Sequence, residues 1–203
     1  SQDDVVWEAS YAGGASGWIL VFRDDLPMSG VSRAVNAGVG PLKGAVVNAE
    51  QHLVTSSEPP AAEDSWGANL DLVGLGGREA ISTYFERACL PFDEIYGPGM
   101  LDELATAPAG ALRALDPLDF YAVALGTELA TVMLGPLRSD AFERSRIATV
   151  MPRTVPEFGE VLTKSVADPS GGRLGYTLSD PAGAAELVRQ RTLPFAVCRP
   201  VAG

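Results

Sequence analysis

Leu174-Gly175-Tyr176-Thr177-Leu178-Ser179-Asp180-Pro181 decides the fold class. Leu174 to Leu178 reads as a strand. Asp180-Pro181 then opens a helix, because a capping carboxylate followed by proline at the first helical position is a strong start signal. That helix runs to about Arg191, and Phe195-Ala196-Val197-Cys198 reads as a final strand. Working outward, Trp18-Ile19-Leu20-Val21-Phe22 is a β-branched and aromatic run between Gly17 and Asp24-Asp25, a buried strand. Ala45-Val46-Val47 and Leu53-Val54-Thr55 form one long strand or two short ones, and Gly30 to Pro41 reads as irregular.

The middle of the chain carries helical spacing. Ile81, Tyr84, Phe85 and Ala88 fall at i, i+3, i+4 and i+7, and Pro91 stops the run. Asp102 to Leu115 reads as a helix broken near Pro108. Asp116-Pro117 opens another with Leu118, Tyr121, Leu125, Leu129 and Val132 on one side, ended by Gly135-Pro136. Ser139 caps a further helix bearing Phe142, Ile147 and Val150. The expectation is one α+β domain over 1–203. It has a mixed or antiparallel sheet, a helical middle third at about 77–150 and long Gly/Pro-rich loops.

Composition narrows the partners. The net charge of −11 repels nucleic-acid phosphate and anionic lipid, and the 13 arginines are dispersed, so neither direct nucleic-acid binding nor a membrane surface is expected. The longest apolar stretch, Phe120 to Leu134, contains Glu128 and is too short for a membrane span. No secretory leader is visible, which favours an intracellular or virion-associated protein. Cys89 and Cys198 both lie in apolar runs and read as buried free thiols, a single bridge between them being the alternative.

His52 is the single histidine, so a two-histidine mechanism is excluded; a metal site would need carboxylates or thiolates converging on it, and no metal or cofactor is expected. Gly74-Leu75-Gly76-Gly77 has Glu79 where a dinucleotide fingerprint needs a third glycine, and it reads as a helix entry. The adjacent acids Asp24-Asp25, Asp93-Glu94 and Asp102-Glu103 read as solvated surface.

His52 followed by Asp102 and by Asp168-Pro169-Ser170-Gly171-Gly172 resembles the order and serine loop of the chymotrypsin-like serine proteases. The resemblance covers about five residues, with Asp168-Pro169 in place of the family's Gly-Asp. It implies Ser170 as nucleophile, His52 as its base and Asp102 orienting the imidazole. The same five residues also make an ordinary turn. Against this hydrolase stands a non-catalytic assembly subunit, a virion, tail or shell-type component in a homo- or hetero-oligomer. Its contact anchors are aromatics in or beside loops: Trp7, Tyr11, Trp18, Phe92 and Tyr96.

Overall fold

Trp18, Leu20 and Phe22 alternate with Ile19 and Val21, and that period of two puts the first three on one face of a strand. The computed structural model describes residues 2–12, 16–56, 63, 68, 80–99, 106–150 and 156–200. The chain divides into two compact units, Ser1–Ala68 and Asn69–Gly203, and the domain expected over 1–203 spans both. Both sheets are antiparallel, so the α+β class holds.

The smaller unit contains β1 (Val5–Tyr11), β2 (Gly17–Phe22), α1 (Met28–Asn36), β3 (Val46–Asn48) and β4 (Leu53–Thr55), with sheet order β1-β2-β4-β3. Helix α1 replaces the irregular stretch expected there. Met28, Val31 and Val35 lie on one side of it and pack on Leu20, Phe22, Val47 and Val54. That burial outweighs the low helix propensity of Gly30 and the two valines.

The larger unit contains β5 (Ser82–Glu86), α2 (Phe92–Tyr96), α3 (Thr106–Arg113), β6 (Tyr121–Leu125), β7 (Leu129–Met133), α4 (Ala141–Val150), α5 (Pro156–Val161), β8 (Leu162–Asp168), β9 (Arg173–Leu178) and α6 (Pro181–Arg189). The sheet order is β5-β6-β7-β9-β8. Its core face carries Tyr84, Val123, Val132 and Leu174 in one cross-strand row. Leu112 of α3, Ile147 of α4, Phe158 of α5 and Leu187 of α6 share the same hydrophobic cluster, so these helices supply its second layer.

The helical middle third is corrected. Ile81 to Ala88 contains strand β5, and the expected helix from Asp116-Pro117 is the β6–β7 hairpin turning through 126–128. Residues 121–125 are all buried, so the run has no amphipathic period, and the stripe from Leu118 to Val132 matched a helix by chance. Cross-strand pairing with β5 and β9 then decided the outcome, as tertiary context overrides weak local preference. The helix start at Asp180-Pro181 is observed, with Asp180 accepting from the Ala182 amide at 3.0 Å.

Phe195 to Cys198 is not a full strand. Pro194–Ala196 forms a 3-10 turn, and only Leu90 and Val197 make a parallel bridge. The segment is held by other means. Leu90 donates to the Ala196 carbonyl at 2.8 Å, and Cys198 donates to that of Leu90 at 2.7 Å. Cys89 and Cys198 are joined by a disulfide, which corrects the free-thiol reading in favour of its alternative. Arg144, fully buried, donates to the carbonyls of Phe195, Val197 and Asp116 and, at 2.6 Å, to the Asp140 carboxylate. Arg138 supplies Asp140 with a second guanidinium at 2.9 Å. On the surface, Arg191 pairs with Glu86 and Glu94, far from it in sequence.

Among the described residues three buried hydroxyls, those of Thr55, Tyr96 and Tyr176, are left out of this bonding. The Tyr176 hydroxyl sits inside the Phe158–Phe195 aromatic cluster with no hydrogen-bond partner. Burial pushes its phenol pKa well above the ordinary value. A desolvated, unpaired hydroxyl is a net cost, so Tyr176→Phe is expected to raise unfolding stability by about 1 kcal/mol. Urea titration of the two proteins checks this, and a destabilised variant would show that the hydroxyl contributes a favourable contact.

Candidate interaction surface

Of the residues proposed for hydrolysis, His52 and Ser170 fall in different units, and each is described within its own. His52 belongs to the smaller unit, where its Nδ1 lies 3.1 Å from the Arg23 carbonyl. Ser170 belongs to the larger unit, and Asp102 lies outside the described residues, as does the glycine run 74–77. Ser170 donates its hydroxyl to Asp168 Oδ1 at 2.6 Å, and the Gly171 amide donates to the same oxygen at 3.0 Å. The Ser170 hydrogen bond, then that of Gly171, holds the exposed Asp168 carboxyl below its usual range.

This is the geometry of a tied turn between β8 and β9. The turn also docks on the loop after β7: Leu134 donates to Gly172 O at 2.8 Å and Arg138 to Pro169 O at 3.0 Å. Gly172, at φ 59°, lies so close that a Cβ there would fall 1.5 Å from the Gly135 carbonyl oxygen, so packing requires glycine at this position. A serine-directed phosphonate is therefore expected to leave the folded protein unlabelled. Intact-mass detection of an adduct at Ser170, lost in His52→Ala, would reverse that.

The loop aromatics separate. Trp7 is 51% exposed on the edge strand β1, and Tyr11 and Trp18 are half-buried, Trp18 packing into the core against α1. Phe92 and Tyr96 are only 7% and 4% exposed. They stack on each other at 4.8 Å within the core of the larger unit, on a helix rather than a loop. As surface anchors they are corrected: Phe92, Ile95 and Tyr96 form one buried side of α2, a period hidden in a five-residue helix.

Sequence reasoning passed over the surface that the strands create. In the larger sheet, residues alternating with the core positions point to the opposite face. Strand β5 and the residue before it contribute Ile81, Thr83 and Phe85. Strand β6 contributes Ala122 and Ala124, with Gly126 continuing the line, and β7 contributes Leu129, Thr131 and Met133. Gly175 and Thr177 follow on β9, with Val166 beside Gly175 on β8. Ala122 groups with Phe85, Phe120 and Met133 in a cluster distinct from the main core, as expected for the reverse side.

This face is apolar or threonine over most of its extent. Ile81, Leu129 and Val166 are 72%, 65% and 68% exposed. Among these cross-strand rows the charges are Asp168 and Arg173, paired with each other at 3.2 Å at one end. The signal available in sequence was the alternation of β7, Leu129-Ala130-Thr131-Val132-Met133, in which Ala130 and Val132 are buried and the other three are not. It was masked by the accidental helical stripe.

The site and fold define an α+β protein with two antiparallel sheets, the larger helix-backed on one face and presenting an open, nearly uncharged second face. Among the described residues no group of three His, Cys, Asp or Glu side chains is placed to hold a metal, and no helix is long and apolar enough to cross a membrane. No family model, curated protein or solved structure matches the chain.

Proposed function

We propose that the chain is a non-catalytic assembly subunit, a shell-, tail- or virion-type component, and that the open face of the larger sheet is its protein contact surface. One observation carries this reading: three large aliphatic side chains, Ile81, Leu129 and Val166, stand more than half exposed on a sheet face almost free of charge. Contiguous apolar surface of this kind marks contact sites more often than solvent-facing sheet, which normally alternates to polar residues. Trp7 on the smaller unit is a second anchor of the same type.

The Cys89–Cys198 bond favours assembly in an oxidising setting, such as outside the cell or on a particle surface, over the reducing cytosol.

Light scattering on protein from its natural source tests the proposal. A discrete mass well above 21.2 kDa is expected, and Leu129→Lys is expected to abolish or shrink it. A strict monomer in that material at high concentration would overturn the reading.

A further inference from the structure

We infer that the open face of the larger sheet is a self-interface, on which a second copy of the chain stacks face to face about a two-fold axis. This rests on the contact-surface reading above and names the partner. Along β5-β6-β7 the face reads ridge, trough, ridge, and β9 presents Thr177 and Arg173 on either side of Gly175. Strand β5 presents Ile81 and Phe85, and β7 presents Leu129 and Met133. Between them β6 presents only Ala122, Ala124 and then Gly126, and β9 dips at Gly175.

A two-fold contact needs each surface to carry both a projection and the recess that receives it. An axis parallel to the strands and midway between β6 and β7 provides this. It lays Leu129 of one copy over Gly126 of the other and Thr131 over Ala124. The same operation lays Ile81 over Thr177 and Thr83 over Gly175. The fit is deepest at the Gly126 end, because at the other end Phe85 and Met133 already fill the space over Ala122.

Charge points the same way. Each copy carries −11, so two copies repel over most of their surface. This face is the exception, since its Asp168 and Arg173 neutralise each other. The resulting strand directions are nearly aligned, which stacked antiparallel sheets accept, their strand directions staying within about 30° of each other. Four strands at about 4.8 Å spacing, each about 17 Å long, offer on the order of 1,000 Å² of accessible surface for the two faces together. That is the lower limit of a specific interface, so a dimer dissociating at micromolar concentration is expected. Edge-to-edge pairing through β8 is disfavoured by the bulge between Thr163 and Val166.

Sedimentation equilibrium of the purified chain, with a mixing experiment, tests the inference. The expected mass approaches twice 21.2 kDa at high concentration. Leu129→Lys is expected to weaken the dimer roughly tenfold or more. Ile81→Cys and Thr177→Cys variants, each kept with its native disulfide, are expected to cross-link to each other when mixed and oxidised. A purified chain that stays monomeric, while source material holds it in a larger particle that excludes Leu129→Lys, overturns the self-interface and leaves the assembly reading standing. A dimer that persists undiminished in Leu129→Lys, without the mixed cross-link, also overturns the self-interface. Monomers in both preparations overturn the two together.

Discussion

Arg144→Ala is expected to destabilise the larger unit by about 3–5 kcal/mol, the range for removing one member of a buried ion pair. Arg144 is completely buried, and its guanidinium donates to the buried Phe195 and Val197 carbonyls, to the buried Asp140 carboxylate and to the part-buried Asp116 carbonyl, which Arg138 also reaches. Alanine leaves the Phe195, Val197 and Asp116 carbonyls with lost partners and a cavity beside Ile147 and the C-terminal segment. Arg144→Lys is expected to recover little, because an ammonium cannot span the three directions that the planar fork reaches. Urea unfolding of the variants decides it. A loss below about 1 kcal/mol would place the group with surface ion pairs and refute the role given to it.

The same network sets an acid limit. Burial pushes the Asp140 carboxyl up, but the Arg138 hydrogen bond and the charges of Arg144 and Arg138 outweigh it and hold the group below the usual carboxylate range. A depressed native pKa contributes stability that is present above the unfolded value, about 3.9, and is lost as pH falls through the native value. Stability of the larger unit should therefore fall steeply below about pH 4, and less steeply in Arg144→Ala, where half of the stabilising charge is gone.

The second large effect concerns the disulfide. Cys89 and Cys198 are 109 positions apart, so the bond closes most of the larger unit into one loop. Constraining an unfolded loop of that length is worth about 5 kcal/mol in the chain-entropy account. Reduction, or the double variant Cys89→Ser with Cys198→Ser, is expected to lower the melting temperature by roughly 10 °C. The segment it secures is otherwise held by one β-bridge, by Arg144 and by the burial of Phe195 and its neighbours in the core. Because Arg144 and the disulfide secure the same segment, the loss on removing both should exceed the sum of the separate losses. Two reactive thiols in the native, unreduced protein would show that the bond does not form.

These two features hold the helical layer of the larger unit on the core face of its sheet. Arg144 fixes α4 to the C-terminal segment, and the disulfide fixes that segment to the end of β5. With the helices held on the core face, the opposite face is left as the larger unit's open apolar surface.

Several elements were legible in the chain. Trp18 to Phe22 and Leu174 to Leu178 are strands because β-branched and aromatic residues are bounded by glycine or acids. The helix after Asp180-Pro181 starts there because cap and proline are both local. Helix α3 lies within the helical stretch expected there but runs unbroken across Pro108, which sits in its first turn where proline is tolerated, and α4 begins just after Ser139. The stretch around β5, β6 and β7 was not legible, because Tyr121 to Leu125 is buried at every position and the flanking residues mimic a helical stripe. Phe92 and Tyr96 looked like loop aromatics because a helix of five residues is too short to show its period.

Composition and local pattern by themselves determined the α+β class, the acidic surface, the single histidine and the strands and helices with strong boundary signals. Those properties depend on neighbours within a few residues, or on counts alone. The tertiary structure decided the rest. It paired Cys89 with Cys198, buried Arg144 against carbonyls more than fifty positions away, and turned a helical stripe into a hairpin. It also set Ile81, Leu129 and Val166, from three different strand regions, on one open face. Each of these rests on contacts between segments distant in sequence, whose energies appear only once the chain has closed and local spacing no longer governs which side a residue faces.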